Sequence, residues 1–349
     1  MTGSRAAVMG FMRIRGEYGQ IKGVQAPVFA LGELKYRGCV RGLIARVLWK
    51  WQCRINRKLP FFPKGEGSSS YSLRAASTNI FAENAHRSCA LMLGITTYGR
   101  PNECGALILG LARSLRHAGM IEDSFLTVVR DTSEHDYAPV LQLLEQHFPG
   151  RFAFYEGAKW RGKSGRYLTY QIIFDHVRHL GARHAILMED DVALNDEFVT
   201  RALSLYEAID DPNKSALYLA RFDDDDPKGQ WVSFPRRACS EAPLDETAWL
   251  DLHAFVAGRR FFEVLDWTLF APHPWRWVGN AKRSSGVSEQ MTLRLFRRAS
   301  IYQVRKSLAF HGRAPSILNV EARKDRALDN FPRLDSEAQA NHSAAAERN

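Results

Sequence analysis

Nowhere does this sequence hold an apolar run long enough to cross a bilayer. Runs such as Ala185–Met188 and Ala216–Ala220 stop after four or five residues, against the ~20 that a spanning helix needs. The first residues do not read as a secretory signal either: Arg5 is followed by mixed small and basic residues, without an unbroken apolar stretch and a small-residue cleavage site. Low-complexity tracts and repeats of solenoid length are absent, which excludes array architectures. The five cysteines (Cys39, Cys53, Cys89, Cys104 and Cys239) are odd in number and scattered, so neither a disulfide framework nor a zinc or redox pair is expected. These absences point to a soluble cytoplasmic protein.

Acidic residues are missing from one stretch. Between Glu33 and Glu66 the charged side chains are Lys35, Arg37, Arg41, Arg46, Lys50, Arg54, Arg57, Lys58 and Lys64, all basic, and the whole chain carries a formal charge of +10. Such a surface suits nucleic acid, anionic lipid or a phosphorylated acceptor. With no zinc finger or RNA-recognition signature beside it, nucleic acid is not an expected partner. Val40, Leu43, Ile44, Val47, Leu48, Trp51 and Ile55 recur every three or four residues, the pattern of an amphipathic helix. It would either pack on the rest of the protein or lie peripherally on anionic membrane.

What is present is ordinary globular material: 349 residues, 45% hydrophobic and 25% charged, enough for a real core. Three parts separate. Residues 1–88 form a basic extension with that helix and the linker Gly65-Glu66-Gly67-Ser68-Ser69-Ser70. Residues 89–325 form the main domain, and a polar tail runs over 326–349. Within the main domain strand and helix patterns alternate. Strands are expected at Ala90–Ile95, Phe125–Val129, Arg151–Tyr155 and His184–Met188. Helices are expected at Gly105–His117, Ala138–His147, Arg166–Leu180 and Asp196–Ile209. This alternation predicts an α/β fold with a mainly parallel sheet and helices on both faces. Ligands of such sheets bind beyond the carboxyl ends of the strands.

Three loops should meet there. Thr96-Thr97-Tyr98-Gly99-Arg100-Pro101 follows the first strand, Arg130-Asp131 the second, and Glu189-Asp190-Asp191 the fourth. An arginine can pair with phosphate, an aspartate can accept from a base or ribose, and adjacent carboxylates offer hard oxygen ligands to Mg²⁺ or Mn²⁺. Together these are the parts of a nucleotide-diphosphate site. A rival acidic cluster, Asp223-Asp224-Asp225-Asp226, precedes Pro227-Lys228-Gly229 and reads as an exposed turn. The stretch Gly157–Ser164 matches the phosphate-loop pattern G-x-x-x-x-G-K-S between a strand and a helix, so an NTPase competes as a reading. Its bulky Lys159, Trp160 and Arg161, and the two β/α units before it, count against that. In a transferase Lys163 and Arg166 would instead face donor phosphates. Trp275-Arg276-Trp277 would suit stacking on a sugar. Glu289, near a helix start, is either a capping acid or a catalytic base. His311, between a strand and Gly312, is a candidate for metal or phosphate.

From about residue 90 to 319 the chain resembles the GT-A (Rossmann-like) glycosyltransferases, especially their N-acetylglucosaminyltransferase-like branch. The residues that carry the resemblance are Leu93–Arg100, Val128–Asp131, Ile186–Asp191 and Ser307–Gly312. It implies Asp191 as direct metal ligand with Glu189 and Asp190 nearby, Arg100 and Asp131 at the nucleotide, and His311 at the metal or phosphates. Thr96, Lys163 and Arg166 complete the expected donor-site set. Many inverting members carry an E-D pair where this chain has Glu289-Gln290. Because an amide cannot act as a base, either Glu289 takes that role or the base lies elsewhere in the chain. The expected activity is metal-dependent, inverting transfer of a sugar from a UDP-sugar to a glycan or glycoconjugate acceptor. A non-catalytic nucleotide-sugar-binding protein is the second alternative.

Overall fold

The computed structural model describes residues 71–76, 89–160, 162–220, 235–238, 244–247, 250–272, 285–295 and 298–311. The amphipathic stretch Val40–Ile55, the linker at 65–70, Asp223–Asp226, Trp275–Trp277 and the tail from Arg326 lie outside the described residues. In chain order the elements are β1 (Tyr71–Ala76), β2 (Leu91–Thr97), α1 (Pro101–His117), β3 (Ser124–Arg130), α2 (Ala138–His147), β4 (Phe152–Gly157), α3 (Gly162–Leu180), β5 (His184–Glu189) and β6 (Val192–Leu194). They continue with α4 (Phe198–Glu207), β7 (Lys214–Tyr218), β8 (Pro235–Ala238), β9 (Leu244–Thr247), β10 (Ala254–Gly258), α5 (Arg259–Val264), α6 (Val287–Leu295), β11 (Ser300–Val304) and β12 (Ala309–His311).

Ten strands make one sheet in the order β1-β4-β3-β2-β5-β10-β7-β11-β9-β8, and β6 pairs separately with β12. The pairs β4–β3, β3–β2, β2–β5 and β7–β11 are parallel, and the other five are antiparallel. Following these senses across the sheet, β2, β3, β4, β5, β7, β8 and β11 run one way and only β1, β9 and β10 run the other. The anticipated α/β sheet is thus present, with β10 inserted in reverse beside β5. Its edge strand β1 comes from upstream of residue 89, inside the segment assigned to the extension.

Both faces of the sheet are covered, which is why its central strands read as continuous apolar runs rather than alternating ones. Leu91, Leu93, Ile95, Ile186 and Met188 point into a core shared with Leu107, Ile108 and Leu111 of α1, Val140 of α2 and Val199 of α4. Met92, Ala185, Leu187 and Phe255 face the other core, with Ile172 and Ile173 of α3, Phe261 and Phe262 of α5 and Met291 of α6. The chain moves outward from β2 to β3 and β4, then returns through α3 to β5 on the opposite side of β2. Strand order therefore reverses between β2 and β5, the position at which open α/β sheets leave a crevice.

Two helices begin earlier than periodicity alone predicts. α1 starts at Pro101 rather than Gly105, since proline at the first helical position already has the right φ and lacks only an N–H that would be unpaired anyway. α3 starts at Gly162 rather than Arg166. Its first N–H is taken by the Asp131 carboxylate, 3.0 Å away and 31 residues upstream.

Candidate active site

The three expected loops do converge. Thr96 lies in register with Glu189 across β2 and β5, Thr97 pairs with Arg130 across β2 and β3, and the Asp131 N–H donates to the Thr97 carbonyl at 3.0 Å. Gly99, with φ 66°, turns the chain out of β2 in a conformation that suits glycine. Arg100 then stands immediately before α1.

Asp190 is buried in the crevice. It accepts from Thr97 Oγ1 at 2.8 Å, from the Tyr98 N–H at 3.1 Å and from Arg100 Nη1 at 3.4 Å. With Thr97 donating to Asp190, the Tyr137 hydroxyl donates to Thr97 Oγ1 at 2.7 Å and accepts the Arg100 N–H at 3.0 Å. Burial first, and then the neighbouring charge of Asp191, pushes the Asp190 carboxyl up to about 7, against the opposing pull of Arg100 and Thr97. Asp191, 4% exposed, accepts a charged hydrogen bond from Arg100 Nη1 at 2.7 Å. Burial disfavours the charge on Arg100, but Asp191 and Asp190 outweigh it and its pKa rises.

Glu189 is held by a second arginine. Arg166, in the first half of α3, makes an ion pair with it. Burial opposes the Arg166 charge, yet Glu189 more than compensates and keeps it protonated. Tyr170, one turn further along α3, is fully buried and donates to the Leu252 carbonyl at 3.3 Å. The Glu189 N–H donates to the His253 carbonyl at 3.0 Å. The acidic triplet is thereby fastened to the loops after β2, to α3 and to the segment entering β10.

Asp131 does different work. Its Oδ1 accepts the Thr132 N–H and its Oδ2 the Gly162 N–H, both at 3.0 Å. Gly162 has φ 53°, and a side chain there would strike the Trp160 ring, whose nearest atom lies 2.9 Å from the Cβ position. The carboxylate thus sits where the opening of a phosphate loop would receive its phosphate, and a second anion would meet like charge. Thr132 Oγ1 also donates to the Gly157 carbonyl and closes the other end of the loop. This occupancy argues against the NTPase reading of Gly157–Ser164. Lys163 is partly buried in the first turn of α3, and burial lowers its pKa. Trp160 is 60% exposed, with its ring centroid 6.2 Å from that of Tyr98.

The remaining candidates are placed less directly. In β12, His311 pairs with Val192, the residue after Asp191, so its backbone runs beside the acidic triplet. Glu289 is not among the groups these contacts bring together; it opens α6 in a partly exposed position. Next to it, the buried Gln290 donates through Nε2 to the Phe270 carbonyl and accepts the Phe270 N–H through Oε1, both at 2.7 Å. An ionised carboxylate could accept that N–H but could not donate to the carbonyl, whereas the amide does both, which gives the Gln290 departure from the E-D pair a structural reason. Tyr137 and Tyr170 are additions to the groups the sequence points to, and Thr97, part of the expected loop, gains a specific role as donor to Asp190. Nothing in the sequence links Thr97 to Tyr137, 40 residues away.

Among the described residues, no group of three or more His, Cys, Asp or Glu side chains is gathered as a metal-binding set. The donor chemistry fits a divalent cation nonetheless: Asp190 and Asp191 are adjacent buried carboxylates, hard oxygen donors at the end of a central strand. No helix among the described residues is long and apolar enough to cross a membrane.

No protein-family model matches this chain, and no curated protein does. Its structure is similar to those of several glycosyltransferases. S. aureus TarS 1-349 aligns with 10% identity and a TM-score of 0.45, covering 64% of this chain and 60% of that one. The mannosyltransferase PcManGT from Pyrobaculum calidifontis, in complex with GDP-Man and Mn2+, aligns with 15% identity and a TM-score of 0.35, covering 68% and 58%. GalNAc-T7 with UDP, GalNAc and Mn2+ aligns with 8% identity and a TM-score of 0.45, covering 65% and 44%. The match therefore spans less than two thirds of each of these chains.

Proposed function

We propose that this chain is a metal-dependent glycosyltransferase that transfers a sugar, with inversion, from a UDP-sugar to a hydroxyl of a glycan or glycoconjugate. The observation that carries the reading is the triplet Glu189-Asp190-Asp191 at the carboxyl end of β5, its two aspartates buried, facing the loop after β2 at the strand-order reversal and flanked by two arginines. A nucleotide diphosphate needs such a combination. Its phosphates match guanidinium groups, and its charge matches a cation held by carboxylates.

Asp190 and Asp191 would hold Mn²⁺ or Mg²⁺, and His311, whose backbone pairs with Val192, is the candidate for a further ligand. When bound, the cation supplies charge neutralisation for the departing diphosphate. Arg100, Lys163 and Arg166 are assigned to orienting the donor phosphates, and Thr96, in register with Glu189, to the floor of the site. Asp131 with the exposed Trp160 borders the side toward β3 and β4 on which a nucleobase would lie. The acceptor oxygen forms its bond to the anomeric carbon as the bond from that carbon to the phosphate oxygen breaks. Glu289 is assigned the acceptor proton, provided the acceptor hydroxyl comes within hydrogen-bond reach.

The test is UDP release from a panel of UDP-sugars with Mn²⁺, together with nucleotide binding by calorimetry. At least one UDP-sugar should turn over, and Asp191→Asn should stop it. Binding without turnover of any donor would favour the non-catalytic binding protein, and hydrolysis of ATP with no response to UDP would overturn the reading.

A further inference from the structure

The acidic triplet is already nearly neutralised by the protein itself. Three carboxyl groups, Glu189, Asp190 and Asp191, face two guanidinium groups, Arg166 on Glu189 and Arg100 on the aspartates. Counted as ionised, that is three negative charges against two positive ones. The Arg100–Asp191 contact is 2.7 Å long, and the two side chains are only 9% and 3% exposed, so water screens it little. A dication arriving on Asp191 would meet a guanidinium already bound there, in a place where like charges repel strongly.

The backbone of Arg100 is fixed. Its N–H donates to the Tyr137 hydroxyl at 3.0 Å, and its carbonyl accepts the Cys104 N–H of α1 at 3.0 Å. Only the side chain is left to move, and guanidinium is the group best suited to exchange a carboxylate for a phosphate, because both present paired oxygens to its fork. Arg166 differs, since its partner Glu189 is the member of the triplet not assigned to the cation.

We infer that Arg100 is a resident counter-ion of the metal site: it holds Asp190 and Asp191 together in the nucleotide-free protein and is drawn from Asp191 to the donor diphosphate as the cation arrives. Cation and nucleotide therefore load together, and the site resists metal alone. The inference rests on the glycosyltransferase reading above and adds a positioning role for Arg100. Its signature has an unusual sign. Were Arg100 merely structural, removing it would loosen the carboxylates and weaken metal binding. As a counter-ion, removing it frees a carboxylate and strengthens metal binding, while nucleotide binding suffers.

The experiment measures Mn²⁺ binding to the full chain without nucleotide, by electron paramagnetic resonance of the free ion. Arg100→Gln should bind Mn²⁺ about tenfold more tightly than the wild type and bind UDP about tenfold more weakly. Arg100→Lys keeps the charge and should stay within about threefold of the wild type for Mn²⁺. Should Arg100→Gln fail to fold, nitrogen-15 NMR of the wild type gives a second reading. The arginine side-chain signal that is missing in Arg100→Lys should shift when Mg²⁺ and UDP are added together, and stay put with Mg²⁺ alone. Unchanged or weaker Mn²⁺ binding in Arg100→Gln, an equal gain in Arg100→Lys, or a shift with Mg²⁺ alone would each overturn the counter-ion role and leave the proposed function standing. Failure of every form to bind UDP at any metal concentration would overturn the proposed function itself.

Discussion

Two strand-to-helix turns leave the same end of the sheet on either side of β3, and they solve the same problem in opposite ways. Both pass through a glycine with positive φ, Gly99 at 66° and Gly162 at 53°. In the turn from β2 to α1 the charged residue is a cation, Arg100, which reaches across to carboxylates of a neighbouring strand. In the turn from β4 to α3 the charged partner is an anion, Asp131, which already occupies the first N–H of the helix. The first turn can exchange its ion pair for a ligand. The second is closed, even though it carries the more familiar phosphate-binding pattern. The difference teaches that a glycine-rich motif announces only an available helix start; what the tertiary structure has put on that start decides whether a phosphate can use it.

The comparison breaks most visibly at Asp191. Asp191→Asn removes a charged oxygen from the open turn's partner, and UDP release from the donor should fall about 100-fold or more. Lys163→Ala in the closed turn should cost far less, and a comparable loss there would make the two turns functionally equivalent.

The closed unit should show itself in stability, starting with its anchor at His176. This side chain of α3 is buried between Thr127 Oγ1 at 2.9 Å and the Tyr155 hydroxyl at 2.6 Å. Burial first, and the charge of His179 second, lowers its pKa to about 4 from 6.5. The folded state thus binds fewer protons than the unfolded chain between those values, so stability is lost as pH falls from 6.5 toward 4. Urea unfolding should show about 2 kcal/mol of this loss between pH 7 and pH 5, absent in His176→Gln. An unchanged pH slope in that variant would remove His176 from the account.

Next in size is Asp131→Ala, which takes the carboxylate from the start of α3. It should lower unfolding stability by about 1–2 kcal/mol, the usual cost of a lost helix cap. A neutral result would mean that the carboxylate is not what closes the turn. The smallest effect is expected at the rim. Trp160→Ala should weaken UDP binding by about threefold to tenfold if the exposed indole supports the base, with no change in melting temperature. Equal affinity would confine the indole to covering Gly162.

Much of this was readable in the chain. The strands through Leu91–Thr97, Ser124–Arg130 and His184–Glu189 are runs buried on both faces, and their apolar character places Arg100, Asp131 and the acidic triplet at their ends. What stayed hidden depends on contacts remote in sequence. Ala254–Gly258 is a short apolar run whose reversed direction beside β5 no local pattern encodes. Tyr71–Ala76 becomes an edge strand only because β4 is there to pair with it. The early start of α3 depends on Asp131, the pairing of Arg100 with Asp191 spans 91 residues, and the clamp of Gln290 on Phe270 gives no signal in a string that reads as a degraded catalytic pair.

The most direct test of the central claim is calorimetric titration of the full chain with UDP and with ATP, each with Mn²⁺ and with chelator, on the wild type and on Asp191→Asn. The account predicts that UDP binds in preference to ATP, that Mn²⁺ strengthens UDP binding, and that Asp191→Asn abolishes that gain. Preferential ATP binding that survives Asp191→Asn and disappears in Lys163→Ala would contradict it.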